Sequence, residues 1–451
     1  MISLERAAAA TGAEIRSAQR FPKRLRIVTD TRTLEPGDVF LALRGEHFDG
    51  HAFLRQAAEK GASAFVVDDA NALPQDAPAL LVRDTKRAYM DLAGAARELY
   101  TGRVVAITGS AGKTTTKHLL AQLLAAQYGP DRVIASPANE NNEIGVSRLL
   151  LSVSAQHEVL VVEMGARHEG EIAELVQIAR PHIGVLTNIG EAHLEIFGSR
   201  DRLARTKWGL FSQGAQAVLN AEDAESTSRA VALSSTPLWF GTGEPRTAGV
   251  WIVDERTLLV SNGRVQRYAI DVRLPGKHNR ANLAAAAAAA LLAGVDAEKI
   301  VAAIPSLTLP AGRYETFAAE GKPRLIYDAY NANTSGMLAA LDAFAAERAA
   351  RRIAVLASMA ELGSDAPAMH ERVGAHAARS GVDMLLVGGD FAECIAQGAL
   401  ASGLPRERIV AFADNGRAVA WLREHTHAGD AVLLKGSRKY KMEEIIQELM
   451  R

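Results

Sequence analysis

Short apolar runs alternate with segments of helical periodicity along most of the chain. The runs VVAITG (104–109), EVLVVEMG (158–165) and HIGVLTNIG (182–190) are apolar on successive positions, and a segment with helical spacing follows each of them. Strands that are apolar on both faces and joined by helices are typical of a parallel sheet covered on both sides. The pattern therefore predicts a central, mostly parallel α/β unit flanked by helices.

The same alternation continues on both sides of this unit. Before it, four β-like segments surround one helix at 51–62, and residues 85–100 have the spacing of a linker helix; after it, five apolar strands alternate with helices in another βαβ series. A chain of 451 residues is longer than the about 250–300 residues that one core usually organises. We predict three α/β domains, at 1–83, 84–312 and 313–451.

Composition narrows the class of protein. The net charge of −1 argues against a nucleic-acid-binding protein, which needs a basic excess, and the single cysteine, Cys394, excludes an internal disulfide framework. The longest apolar run, 283–295, has 13 residues, whereas a membrane span needs about 20. No signal-peptide pattern opens the chain. We expect a cytoplasmic protein, monomeric, with no membrane insertion and no nucleic-acid partner.

The segment TGSAGKTTTK (108–117) has the context of a phosphate-binding loop with shortened spacing. The usual loop is G-x-x-x-x-G-K-[ST], but here the residue five positions before Gly112 is Ile107. Gly109 and Gly112 still allow backbone N–H groups to approach phosphate oxygens, and the following helix adds its positive end. Lys113 and Thr114 then match the phosphate-binding lysine and the Mg²⁺-binding hydroxyl. The alternative is an ordinary strand-to-helix turn.

Two further residues are candidate metal ligands. Glu163 follows an apolar strand at the carboxyl end of the predicted sheet, where open α/β sheets keep their sites. Carboxylate oxygen suits Mg²⁺, whereas imidazole is an uncommon ligand, so His193 after the next strand is a weaker candidate. Lys207 taken alone has the pattern of a solvated helix lysine.

Eight sequence blocks in one order show a resemblance to the Mur ligases of bacterial peptidoglycan synthesis. The blocks are TGSAGKTTTK, NENNEIGVSRLL (139–150), EMGARHEGEI (163–172), LTNIGEAHLEIFGS (186–199), LPGKHNRANLAAA (274–286), GRYE (312–315), YDAYNANTSGM (327–337) and KGSRKYKME (435–443). The resemblance begins at TDTRTLEPGDVFLALRGEHFDGHAF (29–53) and reaches the C-terminal helix. The short phosphate loop is the form that this family uses.

The resemblance implies both the architecture and the reaction. The N-terminal domain would bind a UDP-sugar, the central domain ATP, and a Rossmann-like C-terminal domain would close over the site. ATP would phosphorylate a carboxylate, and an amine would attack the resulting acyl phosphate. YNAN and NENNEIG favour the dipeptide-adding branch, whose substrates are UDP-MurNAc-tripeptide and D-Ala-D-Ala.

The resemblance also assigns roles to individual residues. It implies catalytic roles for Lys113, Lys207, His193 and Arg313, and two Mg²⁺ sites formed by Thr114, Glu163, His193 and Lys207, the last as a carbamylated lysine. Nucleotide-binding residues would be Gly109, Ser110, Ala111, Gly112, Lys113, Thr114, Thr115, Asn279, Asn282, Arg313, Asp328, Tyr330 and Asn331. Substrate-binding residues would be Thr31, Arg32, Gly45, His47, Asp49, Asn139, Asn141, Asn142, Lys435, Ser437 and Arg438.

Three positions depart from the family pattern. Thr31 stands where Ser is expected, Ser358 where Asp is common and Thr334 where Pro is usual, and we expect the last two to affect the edge of the C-terminal cleft. Other readings remain open: a ligase for another amino acid, a folylpolyglutamate or cyanophycin-type relative, a P-loop switch or motor, or a nucleotide-binding scaffold without turnover. The third residue of the tripeptide, meso-diaminopimelate or L-lysine, is also open.

Overall fold

The computed structural model describes residues 2–45, 48–190 and 194–451. The first sheet has the strand order β1-β7-β6-β3-β2, in which only β1 runs antiparallel to its neighbour, and β4 and β5 form a separate pair. The elements are α1 (Leu4–Thr11), β1 (Glu14–Arg16), β2 (Ile27–Val28), β3 (Val39–Leu41), β4 (Arg44–Gly45), β5 (Phe48–Asp49), α2 (Leu54–Glu59), β6 (Ala64–Val67), β7 (Ala79–Leu81) and α3 (Thr85–Leu99).

The central sheet has nine strands in the order β16-β15-β14-β13-β12-β11-β8-β10-β9. Its strands are β8 (Arg103–Thr108), β9 (Val133–Ala135), β10 (Val159–Glu163), β11 (Ile183–Leu186), β12 (Gln216–Asn220), β13 (Leu238–Gly241), β14 (Gly249–Asp254), β15 (Thr257–Ser261) and β16 (Val265–Ala269). Its helices are α4 (Lys113–Tyr128), α5 (Glu143–Ser152), α6 (Glu171–Ala179), α7 (Leu194–Phe197), α8 (Arg200–Trp208), α9 (Ala224–Arg229), α10 (Lys277–Leu292) and α11 (Ala297–Ala303).

The last sheet has six strands in the order β17-β18-β22-β19-β20-β21, parallel except for β17. Its strands are β17 (Glu315–Phe317), β18 (Arg324–Tyr327), β19 (Arg352–Ala357), β20 (Met384–Gly388), β21 (Ile409–Phe412) and β22 (Ala431–Lys435). Its helices are α12 (Thr334–Ala345), α13 (Ala366–Arg379), α14 (Ala392–Ala401), α15 (Asn415–His425) and α16 (Glu443–Met450).

The fold class predicted from the apolar pattern is confirmed. From β9 to β14 the central sheet is parallel, so the carboxyl ends of β8, β10 and β11 meet at one edge. The predicted linker helix forms α3, and Asp84 caps it by accepting a hydrogen bond from the Arg87 N–H at 2.8 Å. The alanine run of α10 is fully buried against α4 and the sheet, because its small side chains allow close packing.

The sequence pattern missed one helix and the mixed strand direction at one edge of the central sheet, although it predicted short β-like segments at the end of the polar stretch 221–273. Helix α1 was not expected, although Ser3 accepts a capping hydrogen bond from Arg6 and Gly12 ends the helix at φ 62°. The polar stretch after residue 221 adds β13 and β14 in parallel and then β15 and β16 in antiparallel order, which makes the sheet mixed at that edge. Within the described part of the chain, no helix is both long and apolar enough to cross a lipid bilayer.

Candidate active site

The phosphate-type loop joins β8 to α4, and its two glycines are required by close packing. Gly112 has φ 81°, and a Cβ there would lie 2.3 Å from Asn282 Oδ1. A Cβ at Gly109 would lie 1.9 Å from Thr187 Oγ1. Such distances leave no room for a side chain, so glycine is required where the loop packs against the residues after β11 and against α10.

Two residues after β11, which sequence reasoning missed, hold the loop in place. Thr187 Oγ1 donates to the Ala111 carbonyl at 2.6 Å. The Asn188 amide accepts from Ala111 N–H at 3.0 Å and donates to its carbonyl at 3.1 Å, while Ser110 N–H donates to the Asn188 carbonyl at 3.0 Å. The only sequence signal was the polar pair directly after an apolar strand. Residues directly after β11 therefore brace the shortened loop.

Two lysines from different helices meet beneath this loop. Lys113 Nζ donates to the Gly109 carbonyl at 2.8 Å, and Lys207 Nζ donates to the same oxygen at 3.1 Å. Burial lowers the pKa of Lys113. The negative charge of Glu163 opposes this effect, and the positive charge of Arg313 lowers the pKa further. Burial, reinforced by the charge of Lys113, holds the pKa of Lys207 well below its usual value. Lys207 is 2% exposed, so the solvated-lysine reading is wrong.

The carboxylate of Glu163 lies beside the start of α4 and is 1% exposed. Its Oε1 accepts hydrogen bonds from Thr114 Oγ1 at 3.1 Å and from Asn141 Nδ2 at 2.9 Å. Its Oε2 lies 3.0 Å from Lys117 Nζ, a residue to which the sequence reading gave no role. Thr114 and Glu163 are thus brought together as predicted, and their hard oxygen atoms fit a divalent cation such as Mg²⁺. His193, another predicted ligand, lies outside the described residues.

The two asparagines of α10 lie on the other side of the loop. Asn282 Oδ1 accepts from Thr116 Oγ1 at 3.4 Å, and its Nδ2 donates to Asn279 Oδ1 at 3.3 Å. Asn279 Nδ2 donates to the Pro275 carbonyl at 2.8 Å. Asn279 is therefore inside the helix and donates to the preceding turn, which differs from an N-cap, whose side chain accepts. Both amides are held close to the loop.

The C-terminal domain brings an aromatic ring and two guanidinium groups to the cleft. The Cζ of Arg313 lies 4.7 Å and that of Arg438 5.2 Å from the centre of the Tyr330 ring. Burial raises the pKa of Tyr330, and the charge of Glu163 raises it further. The positive charges of Arg438 and Arg313 oppose this effect. Because Arg313 also lowers the pKa of Lys113, these C-terminal side chains are within electrostatic range of the phosphate-type loop.

Asp328 and Lys435, two other predicted contacts of the cleft, are paired with each other. Lys435 Nζ lies 2.7 Å from Asp328 Oδ2 and donates to the Asp328 carbonyl at 2.9 Å. Asp328 Oδ1 accepts from Tyr314 N–H at 3.1 Å. Burial lowers the pKa of Lys435, which Asp328 raises in opposition. This buried pair joins the ends of β18 and β22. Nearby, Asn331 is exposed and Ser437 is buried, with its N–H donating to the Ser358 carbonyl at 3.2 Å.

The described substrate candidates of the N-terminal domain lie in the turn after β2 (Thr31 and Arg32) and on the β4–β5 pair (Gly45 and Asp49). Thr31 Oγ1 donates to Gln56 Oε1 at 2.9 Å, so a hydroxyl is in use where Ser was expected. Arg32 is exposed and pairs with Asp30 at 2.7 Å. Asp49 caps the next turn and contacts His51 at 2.6 Å, and Gly45 pairs with Phe48. His47 lies outside the described residues.

The asparagine segment between β9 and α5, residues 139–142, stabilises the fold and contacts Glu163. Asn142 caps α5 by accepting from Gly145 N–H at 3.0 Å, as its turn-forming alternative suggested. Asn139 is exposed, whereas Asn141 contacts Glu163. The segment therefore ends directly at the candidate metal carboxylate.

The two C-terminal departures from the family pattern have structural explanations. Ser358 is fully buried at the end of β19, where its hydroxyl donates to the Gly388 carbonyl at 3.2 Å and accepts from Phe391 N–H at 2.8 Å. Thr334 is the first residue of α12, and its buried hydroxyl has no hydrogen-bond partner among the described residues. Ser358 is thus used within the C-terminal domain, and Thr334 occupies a helix start that suits proline.

Comparisons with known proteins agree along the length of the chain. The family profiles described as "Mur ligase family, catalytic domain", "Mur ligase middle domain" and "Mur ligase, glutamate ligase domain" match residues 26–100, 107–290 and 312–438. The chain is 36% identical over 434 residues to UDP-N-acetylmuramoyl-tripeptide–D-alanyl-D-alanine ligase of Synechocystis, covering 94% of this chain and 91% of that protein. It is 35% identical over 435 residues to the Escherichia coli protein of the same name, covering 94% and 93%.

Solved structures give the same picture. MurF from Acinetobacter baumannii superimposes with a TM-score of 0.87 at 29% identity, covering 99% of this chain and 98% of that one. MurF from Thermotoga maritima in complex with ADP superimposes with a TM-score of 0.80 at 28% identity, covering 94% and 96%. The similarity therefore extends over all three sheets.

Proposed function

Since the chain belongs to the Mur ligase family, we propose that it is an ATP-dependent ligase that joins D-Ala-D-Ala to UDP-MurNAc-tripeptide in peptidoglycan synthesis. The observation that carries the proposal is the full-length similarity to ligases of this name, at 35–36% identity over 94% of the chain. The ADP complex of the Thermotoga relative supports nucleotide binding by this chain.

The first chemical problem is electrostatic, because a carboxylate and a triphosphate repel each other. Lys113 at the loop and Arg313 from the C-terminal domain bring positive charge to the place where the γ-phosphate would lie. Transfer of that phosphoryl group to the tripeptide carboxylate releases ADP and leaves an acyl phosphate. Preorganised cations favour this transfer because they are already oriented when negative charge moves between the oxygens.

Thr114 and Glu163 are the described residues that would hold Mg²⁺, and their paired oxygens are the observation that supports this fit. The ion would supply charge neutralisation and orientation of the phosphates. For a second site we propose Lys207 in carbamylated form together with His193. An ammonium group has no lone pair with which to ligate a cation, and a neutral amine is a poor ligand for Mg²⁺, which prefers oxygen, whereas addition of CO₂ to the Lys207 amine gives an anionic oxygen ligand.

The second chemical step belongs to the amine substrate. The free amine of D-Ala-D-Ala attacks the acyl-phosphate carbonyl, and phosphate leaves from the tetrahedral species as the new amide forms. We assign the C-terminal cleft edge, with Lys435, Ser437 and Arg438, to this substrate. Lys435 is occupied by Asp328, so Arg438, which stacks on Tyr330, is the member best placed to meet a carboxylate.

The acceptor is assigned to the N-terminal domain and the asparagine segment. Thr31, Arg32, Gly45, His47 and Asp49 would bind the UDP group, while Asn139, Asn141 and Asn142 would meet the muramoyl peptide. The three domains are taken as 1–83, 84–312 and 313–451, and closure of the last over the loop would assemble the site. We propose that the enzyme acts as a monomer in the cytoplasm, the compartment in which ATP and nucleotide-linked sugars are present.

The decisive experiment is product detection by mass spectrometry. Wild-type protein is mixed with ATP, Mg²⁺, D-Ala-D-Ala and UDP-MurNAc-tripeptide, in separate reactions for the meso-diaminopimelate and L-lysine forms. We expect a UDP-MurNAc-pentapeptide from at least one form, and no product with Lys113→Ala. Product only with single amino acids would identify another ligase of the family, and phosphate release at full rate without acceptor and amine would indicate a nucleotide switch.

A further inference from the structure

Lys117 is a buried cation that no step of the proposed reaction uses. It lies one helical turn after Lys113 on α4 and is 5% exposed. Its ammonium group lies 3.0 Å from Glu163 Oε2 and donates to the Ala138 carbonyl at 2.5 Å. One buried ammonium therefore joins the candidate metal carboxylate to the backbone of the asparagine segment.

We call residues 136–142, which include the asparagine segment, the acceptor loop. Further contacts attach this loop to the end of β10. Ser136 Oγ accepts from Glu163 N–H at 2.9 Å, and Gly165 N–H donates to the Asn141 carbonyl at 2.7 Å. Asn141 Nδ2 donates to Glu163 Oε1. The acceptor loop and the Glu163 carboxylate therefore share one hydrogen-bonded network.

The contact with Lys117 falls at the strained point of the acceptor loop. Ala138 has φ 39°, a conformation that residues with a Cβ adopt rarely and only where surrounding contacts hold it. The Lys117 ammonium binds the carbonyl of this residue. Displacement of the Ala138 carbonyl would leave a buried ammonium with an unsatisfied donor, which is costly, so the loop and the lysine are expected to move together.

The same reasoning applies to Glu163, the other partner of Lys117. A buried carboxylate separated from its cation is strongly destabilised. A change at Glu163 therefore acts on Lys117, and through Lys117 on Ala138. Conversely, a ligand that fixes the acceptor loop also fixes the carboxylate that a metal would use, so the two binding events should favour each other.

We propose that Lys117 is a positioning residue that couples acceptor binding at the acceptor loop to metal–nucleotide binding at Glu163. The inference rests on the proposed function, since that function assigns the acceptor to this loop and the metal to Glu163. The inference goes beyond that function by stating that the acceptor site and the metal site are energetically coupled and that Lys117 mediates the coupling.

The test is a set of binding measurements by calorimetry, without turnover. Affinity for Mg²⁺ and the non-hydrolysable analogue AMP-PNP is measured with and without UDP-MurNAc-tripeptide, for wild type, Lys117→Met and Lys117→Arg. In wild type we expect the acceptor to tighten nucleotide binding by at least about fivefold. In Lys117→Met we expect that factor to fall to within about twofold of unity and Mg²⁺ affinity to weaken by about 10- to 100-fold. Lys117→Arg, which keeps the charge, should restore part of both.

Lys86→Met is the matched control. Lys86 forms an ion pair with Glu143 at 2.6 Å at the start of α5, directly after the acceptor loop, but does not contact Glu163. It should keep the wild-type coupling factor. Absence of coupling in wild type, or the wild-type factor in Lys117→Met, would overturn the proposal.

A fold-independent measurement covers the case in which Lys117→Met does not fold. In wild type, Mg²⁺ with AMP-PNP alone should slow amide hydrogen exchange in residues 138–142, which do not belong to the nucleotide loop. Unchanged exchange there would contradict the inference. Failure of the proposed function is separate, because it would appear as absence of pentapeptide in the wild-type reaction, whatever the binding measurements give.

Discussion

The side-chain nitrogen of Lys207 lies 3.1 Å from the carbonyl oxygen of Gly109. The same oxygen accepts a hydrogen bond from Lys113, so two buried lysines meet at one acceptor and the charge of Lys113 lowers the pKa of Lys207. The lowered pKa enlarges the neutral fraction of the Lys207 amine, which is the form that reacts with CO₂. The product, a carbamate, carries a negative charge that the cation of Lys113 would attract.

The first prediction is that Lys207 carries a carbamate in the active enzyme. We expect activity in CO₂-free buffer to rise when bicarbonate is added, and Lys207→Arg, which stays protonated, to lower kcat by at least about tenfold with no response to bicarbonate. Mass spectrometry of the intact protein without acid should show the mass of one added CO₂ in wild type only. Equal activity of wild type with and without bicarbonate would contradict the prediction unless that mass is already present.

The second prediction concerns stability and pH. The pKa of Lys207 in the folded protein is well below its ordinary value of 10.5, chiefly because of burial. Between the folded and the unfolded pKa the unfolded chain binds the extra proton, so the free energy of unfolding rises with pH, by at most about 1.4 kcal/mol per pH unit for one proton. In CO₂-free urea titrations we expect wild type to gain stability relative to Lys207→Met as the pH rises toward 10.5. A stability difference between wild type and Lys207→Met that stays constant over this pH range would refute the prediction.

The third prediction compares the two glycines at the ends of α4. Gly112 has φ 81° and faces Asn282, whereas Gly129 has φ 91° and its Cβ would meet no described atom within 4 Å. Backbone strain of about 1–3 kcal/mol is expected for alanine at either position. Only Gly112→Ala should also weaken ADP binding, by about tenfold or more, because the strain and the displaced Asn282 lie in the binding loop. Calorimetric titration with ADP would distinguish the two variants. Equal ADP affinities of the Gly112 and Gly129 variants would contradict a nucleotide site at the loop that contains Gly112.

Much of this arrangement could be predicted from the chain itself. The strands around the sheet edge follow from uninterrupted apolar runs, and the loop follows from Gly109, Gly112 and Lys113 between a strand and a helix. Local patterns cannot reveal which residues face each other across the fold. Thr187 and Lys117 were missed for that reason, because their partners Ala111 and Ala138 are backbone carbonyls whose positions depend on the register of neighbouring elements.

Burial was the other property that local pattern misjudged. Lys207 lies on a helix with several charged neighbours and has the spacing of a surface residue, yet it is 2% exposed because α8 packs this face against the loop. Asp328 and Lys435 are far apart in sequence and were both assigned to the cleft, whereas they form one buried pair. Pairing of this kind depends on β18 and β22 being adjacent in the sheet, which the sequence pattern does not specify.

The fourth prediction is that Thr334→Pro stabilises the protein. Thr334 is the first residue of α12, a position that favours proline, and Asn333 before it is extended at φ −137° and ψ 166°, as a residue preceding proline should be. We expect a gain of about 0.4–1 kcal/mol in the free energy of unfolding from the reduced entropy of the unfolded chain.

Thr334→Val is the control for this variant, since it removes the hydroxyl, which has no partner among the described residues, without restricting the backbone. Urea unfolding should show little change for Thr334→Val and a higher midpoint for Thr334→Pro, with kcat unaltered in both. A lower midpoint for Thr334→Pro together with an unchanged Thr334→Val would mean that the proline ring does not fit at the start of α12.

The fifth prediction concerns the ring of Tyr330, which Arg313 and Arg438 approach to 4.7 and 5.2 Å. Burial raises the pKa of Tyr330, so the side chain is neutral at working pH and offers its aromatic face to the two cations. Cation–π contacts of about 0.5–2 kcal/mol would orient Arg313 toward the phosphates, which corresponds to about 2- to 30-fold in kcat/KM. We expect Tyr330→Leu to lose this factor and Tyr330→Phe, which keeps the ring, to retain most of it. Steady-state kinetics with each substrate varied in turn would check the effect. If Tyr330→Phe were as impaired as Tyr330→Leu, the hydroxyl rather than the ring would be the group that matters, and the orienting role of the ring would be refuted.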